Sequence, residues 1–232
     1  MSKVNTNFLD ADIDFQPEKI SYVGDIYESL EIFENDPYWQ REEDQEIILM
    51  HECETQLMKE HADFVCGIGG DILEIGFGMG ISADFIQENN PKSHTIIEIH
   101  PQIIEKAKEW AKDKPNVTII EGDWVKVLPN LTEGSIQVAL KKFDGIFYDP
   151  ISTPYGWDLH TQSPDLLFSH AKSNTRISHW NPLNFAGSVC GFMNHPKYKI
   201  TFDEFNIDPK GWPKQYEALG DVYYMPRIFI NE

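Results

Sequence analysis

Carboxylates mark the places in this chain where residue type and spacing point to chemistry: Glu54, Glu74, Glu98, Asp123 and Asp149. Glu74 stands two residues before the first glycine of "DILEIGFGMGISADFIQ", residues 71–87. That stretch reads as a buried strand, a glycine-studded turn and the start of a helix, an arrangement that brings backbone amides close to a nucleotide-like ligand. Gly78-x-Gly80-x-x-Ala83 satisfies the dinucleotide fingerprint, and Glu98 lies at the right distance onward to hold ribose hydroxyls.

The turn alone leaves two ligands open, because NAD and S-adenosylmethionine both carry an adenosine ribose. Three features favour the second. A carboxylate at Glu74, at the mouth of its strand, suits a cationic amino-acid end and repels a pyrophosphate. In "EGDW", Asp123 is placed to accept from an adenine amino group and Trp124 to pack on the ring. Finally, "FDGIFYD" ends in Asp149, beside the expected position of a reactive methyl.

The elements that must position these groups follow from periodicity. Residues 1–36 are acidic and weakly patterned, an arm with one short helix. From Gln40 to Cys66, apolar residues at Ile47, Leu49/Met50, Cys53, Leu57 and Phe64 predict one long amphipathic helix, ended by "GIGG". Strands are predicted at Asp71–Ile75, "HTIIEIH", "NVTIIEGD" and "FDGIFYD". Helices fall between them, one opened by Pro101. "TRISHWN" reads as a short fifth strand. "YKITFDEF" and "DVYYMPRIFIN" read as an antiparallel pair closing one edge, with Pro226 requiring a bulge or an edge position. The fold class is therefore α/β: a Rossmann-like, mostly parallel sheet with an antiparallel C-terminal edge pair and helices on both faces. Residues 1–66 form a covering arm and helix, and residues 67–232 one compact ligand-binding unit.

Composition narrows the function classes. The chain has 232 residues and a formal charge of −19, which disfavours nucleic acid and anionic membrane as partners and suits a small cationic substrate. No apolar run approaches membrane-spanning length, and the N-terminus lacks the pattern of a secretory signal. Cys53, Cys66 and Cys190 lack metal-ligand spacing, so no metal is expected and a reduced cytoplasmic location is the simplest inference. His51 and His61, ten residues apart, do not stack on one helix face and read as ordinary surface or core histidines.

The segments "GGDILEIGFGMGISADFIQ", "HTIIEIH", "EGDWVKVLP" and "FDGIFYD" resemble the class I methyltransferases. They are most similar to the guanidinoacetate N-methyltransferase group, which also includes enzymes that methylate internal nitrogens of protein arginine. The similarity extends to "LMHECETQLM", which resembles that group's Met…Trp-Glu-Thr-Pro-Tyr-Met helix motif, and to "YYMPRIFI". The resemblance implies S-adenosylmethionine as cofactor and S-adenosylhomocysteine as product. It implies that Glu98 holds the ribose, that Asp123 and Trp124 frame the adenine, and that Gly76 and Gly78 allow close approach. It also places Met50 against the cofactor. Glu54, by itself a solvated acid among Glu46, Glu52 and Glu60, matches the glutamate that grips the guanidino group. Asp149 matches the aspartate gripping it from the other side, and Trp39 the N-terminal tryptophan that covers the site.

Two carboxylates suit such a substrate. A guanidinium is a planar fork of donors and a poor nucleophile, so opposed acceptors fix its plane, align one nitrogen and favour loss of its proton, with Asp149 as the acceptor. The acceptor side departs from the family pattern, however. The aromatic Trp and Tyr of the helix motif become Cys53 and Leu57. "AKSNTRISHW" replaces a Lys-Pro-Gly-Gly turn, and Asn181-Pro182-Leu183-Asn184-Phe185 replaces Asn-Leu-Thr-Ser-Trp. The expected activity is N-methylation of a small guanidino or amino compound, guanidinoacetate-like or a cyclic guanidine or amine, by a monomer or homodimer. Protein arginine methylation is the alternative. Less favoured are a nucleobase amino-methyltransferase, suggested by "YDPISTPYG", a dinucleotide-dependent oxidoreductase, and a cofactor-bound scaffold without turnover.

Overall fold

A computed structural model describes residues 6–26, 42–132, 140–150, 164–181 and 198–230. Four strands with the apolar runs read from the sequence form its parallel half: β4 (Asp71–Ile75), β5 (Ser93–Glu98), β6 (Val117–Glu121) and β7 (Phe143–Tyr148). With β8 (Ala171–His179), β9 (Tyr198–Asn206) and β10 (Val222–Ile230) they build a seven-stranded sheet in the order β6-β5-β4-β7-β8-β10-β9. The first five are parallel, while β10 runs antiparallel to both β8 and β9.

Successive strand residues alternate between two cores, as the pleat requires. Ile72, Ile96 and Phe147 pack with α2 (Thr55–Cys66), α3 (Ile81–Glu88) and α4 (Pro101–Ala111). Leu73, Ile97, Ile146 and Tyr148 face the other way, against Trp124 of the short α5 (Trp124–Val127), Leu128 and Leu167. Helices thus cover both faces, and the doubly wound α/β expectation holds.

The N-terminal segment departs from its reading. Where one helix is predicted from Gln40 to Cys66, the chain forms β3 (Glu42–His51), a 3-10 turn at Glu52–Glu54, and only then α2. The apolar run Ile47–Met50 satisfies a strand as well as a helix. Pairing with β2 (Lys19–Ile26), which sets Ile20 opposite Met50 and Tyr22 opposite Ile47, decides for the strand. His51 then starts the helical segment as a cap: its Nδ1 accepts from the Cys53 amide at 3.1 Å, and its own amide donates to Glu54 Oε1 at 2.8 Å.

Within residues 1–36 lie the expected short helix, α1 (Thr6–Asp10), and also β1 (Asp14–Phe15) and β2, which with β3 make a separate three-stranded sheet. This sheet is tied to the large domain at α4, where Gln102 accepts from the Ile13 amide and donates to Asp12, both at 2.6 Å. Pro226 also differs from expectation. It lies inside β10 opposite Phe202, with the register unbroken and without an edge position. Pairing of β10 with β8 is confined to Ile228 and Phe229, and the Pro226 carbonyl accepts the Ser178 hydroxyl at 2.6 Å instead.

Candidate active site

The carboxyl ends of the parallel strands are where open α/β sheets hold their ligands, and the site is built there. Gly76 follows β4 with φ +89°, and a Cβ on it would lie 2.2 Å from the Asp149 carbonyl oxygen. Only glycine allows this close approach, which sets the turn directly beside the end of β7. Gly78 has φ +56°, and a Cβ there would meet the Met50 sulfur at 3.0 Å. Met50 is buried, and its Sδ accepts from the Met79 amide at 3.3 Å. One end of β3 therefore rests on the glycine turn.

Glu98 ends β5 and is buried. Its Oε2 accepts from the Phe77 amide at 2.9 Å, and its Oε1 from the amides of Ile99 and His100 at 2.7 and 2.9 Å. These bonds fix the carboxylate against the glycine turn and the first turn of α4, where backbone N–H groups favour negative charge. Asp123 caps α5 by accepting from the Val125 amide at 3.0 Å and pairs with Lys126 at 3.2 Å. Trp124 is buried edge-on against Tyr148, with ring centroids 5.2 Å apart.

Glu74 differs from the expectation of a carboxylate free at the strand mouth. It is wholly buried on the α2–α3–α4 side, where Ser82 donates to one oxygen and His94 Nε2 lies 2.8 Å from the other. Its neighbours Ile72 and Ile96 face that same core, so the pleat turns the side chain inward. Trp39 lies outside the described residues, as do positions 182–185.

The acceptor half brings together groups from both ends of the chain. Glu54 is buried, and its Oε1 accepts from the His51 amide and from the Tyr216 hydroxyl. Its other oxygen has no protein partner among the described residues. Burial pushes the Glu54 carboxyl up to about 7 against the lowering effect of Tyr216 and His51. Asp149 retains some accessible surface. Its carboxyl is raised well above the ordinary range by its desolvating surroundings first, then by the charges of Glu54 and Glu74. The two acids predicted to face one another thus lie within electrostatic reach, and neither has a cation beside it among the described residues. A cation placed between two acids raised in this way would favour their charged forms.

Sequence reasoning missed Tyr216, which sits in a 3-10 turn (Lys214–Leu219) and packs edge-on against Trp212 and Trp180 at 5.9 and 6.4 Å. Trp180 in turn stacks on Tyr223 at 5.1 Å. These rings stand near Glu54, where the helix motif lacks its usual aromatics. His61 is the buried core histidine expected. Among the described residues, no group of three or more His, Cys, Asp or Glu side chains could hold a metal ion. No described helix is long and apolar enough to cross a membrane.

A cradle that only glycine permits, a carboxylate beside it for a ribose diol, and two acids without a counterion among the described residues fit a sulfonium cofactor and a cationic acceptor. A family profile described as Guanidinoacetate N-methyltransferase matches residues 37–183. Protein arginine N-methyltransferase 2 of Candida glabrata is 45% identical over 46% of this chain and 26% of its own length. The protein of the same name from Eremothecium gossypii is 32% identical over 80% of this chain and 46% of its own length. The chain thus spans between a quarter and a half of the length of these curated relatives. An O-methyltransferase from Bacillus cereus, solved in complex with SAH, aligns with a TM-score of 0.52 at 14% identity, over 76% of this chain and 78% of its own, and shares the fold. The chain has the fold shared with S-adenosylmethionine-dependent methyltransferases, and it belongs to the guanidinoacetate N-methyltransferase family.

Proposed function

We propose that this protein methylates a guanidino nitrogen of a small cationic compound, with Glu54 and Asp149 clamping the guanidinium from opposite sides. The observation that carries this reading is the pair of acids itself: one is tethered by His51 and Tyr216 with an oxygen left open, and both are raised above the ordinary carboxylate range with no cation beside them among the described residues. S-adenosylmethionine, when bound, supplies an electrophilic methyl group and leaves as S-adenosylhomocysteine. Gly76 and Gly78 would admit it, Glu98 would hold its ribose, and Met50, Asp123 and Trp124 would line its adenosine end.

The chain's own groups do the rest. Glu54 and Asp149 accept paired N–H bonds and hold one nitrogen in line for attack, an alignment worth up to about 7–11 kcal/mol of barrier in ideal cases. The N–H proton released as the N–C bond forms passes to Asp149. The described N-terminal sheet, whose Met50 rests on the glycine turn, would help to exclude water from the site.

Glu54→Gln and Asp149→Asn are expected to keep cofactor binding and lose most turnover, read by mass shift across a panel of guanidines and primary amines. Unchanged turnover in both variants would falsify the clamp. A second reading, methylation of arginine within a protein, is favoured by the names of the relatives. Transfer of label from radioactive S-adenosylmethionine to a protein band, with no small guanidine labelled, would establish it in place of the first.

A further inference from the structure

Beneath the two acids runs a buried chain of hydrogen bonds whose direction can be deduced from its ends. The Pro226 carbonyl can only accept, so the Ser178 hydroxyl, 2.6 Å away, donates to it. Ser178 Oγ also lies 2.7 Å from His61 Nδ1, and with its own proton committed it must accept there. His61 therefore carries its proton on Nδ1 and presents a lone pair at Nε2. Tyr223, 2.9 Å from Nε2, donates its only proton to it, and the phenol oxygen accepts the Asn181 amide at 2.9 Å. Every member is buried, and burial keeps His61 neutral, helped by the neighbouring His179.

This chain lies beside the reacting groups. Tyr148 pairs with His179 across β7 and β8, and the Trp180 amide donates to the Tyr148 carbonyl at 3.3 Å. Asp149 is thereby set level with Trp180, the ring stacked on Tyr223. Asp149 is close enough to raise the Tyr223 phenol by its charge, yet no hydrogen bond joins the two among the described residues. A phenol with a free proton at this position would donate to the carboxylate and weaken it as a base.

We infer that His61 is a positioning residue of the transfer reaction: by taking the Tyr223 proton it denies that donor to Asp149 and keeps Asp149 a competent proton acceptor. The inference rests on the proposed role of Asp149, but the histidine's effect can be read without turnover. Among the described residues, the charged groups facing Asp149 are Glu54 before α2 and Glu74 on β4, with Tyr223 on β10 as the neutral neighbour. His61 itself faces Tyr223 and, on β8, His179. None of these changes in the variants that follow, except Tyr223 where stated.

The test is a carboxyl-carbon NMR titration of protein labelled at aspartate, with the Asp149 signal assigned by its loss in Asp149→Asn. The wild-type signal should titrate above the ordinary carboxylate range. His61→Leu should lower its midpoint by about one pH unit, because the freed phenol turns to the carboxylate. His61→Gln, whose amide oxygen can accept from Tyr223, should restore the wild-type midpoint. The double variant His61→Leu with Tyr223→Phe should restore it too, because no phenol proton remains. Midpoints report only folded molecules, so a partly unfolded variant still gives an answer. An unmoved midpoint in His61→Leu, or a shift that persists in the double variant, overturns the inference. If the midpoints move as expected while Asp149→Asn retains full turnover, the relay stands and the assigned role of Asp149 falls.

Discussion

The donor and acceptor halves of the site are built by opposite means. On the donor side, Glu98 is held by three backbone amides, two of them from the next two residues. Gly76 and Gly78 act through main-chain geometry within a few positions of one another. On the acceptor side, Glu54 is held by Tyr216, and His61 by Ser178 and Tyr223. The partners in these side-chain bonds lie more than a hundred residues apart in sequence. A backbone cradle depends on a short local pattern and tolerates little change. A side-chain clamp draws instead on distant positions, as Tyr216 and Trp180 beside Glu54 illustrate.

The largest effect should come from striking the cradle. Gly76→Ala combines a left-handed φ with a contact against the Asp149 backbone, so a loss of ~3 kcal/mol or more is expected in a denaturant melt. A smaller loss would mean that the cradle is as adaptable as the clamp.

The clamp should instead show itself through pH. Glu54 is raised in the folded protein from an ordinary 4.5 to about 7, so its contribution to stability is full below 4.5 and lost as pH climbs through 7. Asp149 acts in the same direction. Glu54→Gln removes the first contribution. Relative to wild type, the variant should therefore gain on the order of 2–3 kcal/mol between pH 4.5 and pH 8, measured by melts at both. A constant difference across that range would place Glu54 in a far wetter setting.

Tyr216→Phe deletes a donor to a buried carboxyl without changing shape. It should push Glu54 above 7, move the acid limb of the rate profile upward and lower turnover at pH 7 by about tenfold. At the small end, Lys126→Ala removes an exposed partner of Asp123 and should change stability by less than about 0.5 kcal/mol, with cofactor affinity intact by calorimetry.

The same contrast explains what the sequence made legible. The glycine turn, Glu98 and Asp149 announced themselves because strand, turn and acid are contiguous and strand ends are where such sheets bind. The antiparallel closure by β9 and β10 was visible in alternating apolar runs. The long helix was misjudged because Ile47–Met50 is apolar at every position, and only pairing with β2, more than twenty residues away, resolves it. Glu74 was misplaced because its burial depends on Ser82 and His94, which a strand-end rule does not see. Tyr216 carried no local signal, since a short 3-10 turn has no periodicity to mark one face.

Met50 and His51 are neighbours in the chain. The sulfur of the first lies on the glycine turn, and the amide of the second holds Glu54. A single peptide link therefore joins the contact with the glycine turn to the amide that holds the Glu54 carboxylate. A shift of the Met79 amide would pull on the tether of Glu54, so the two halves share one fulcrum.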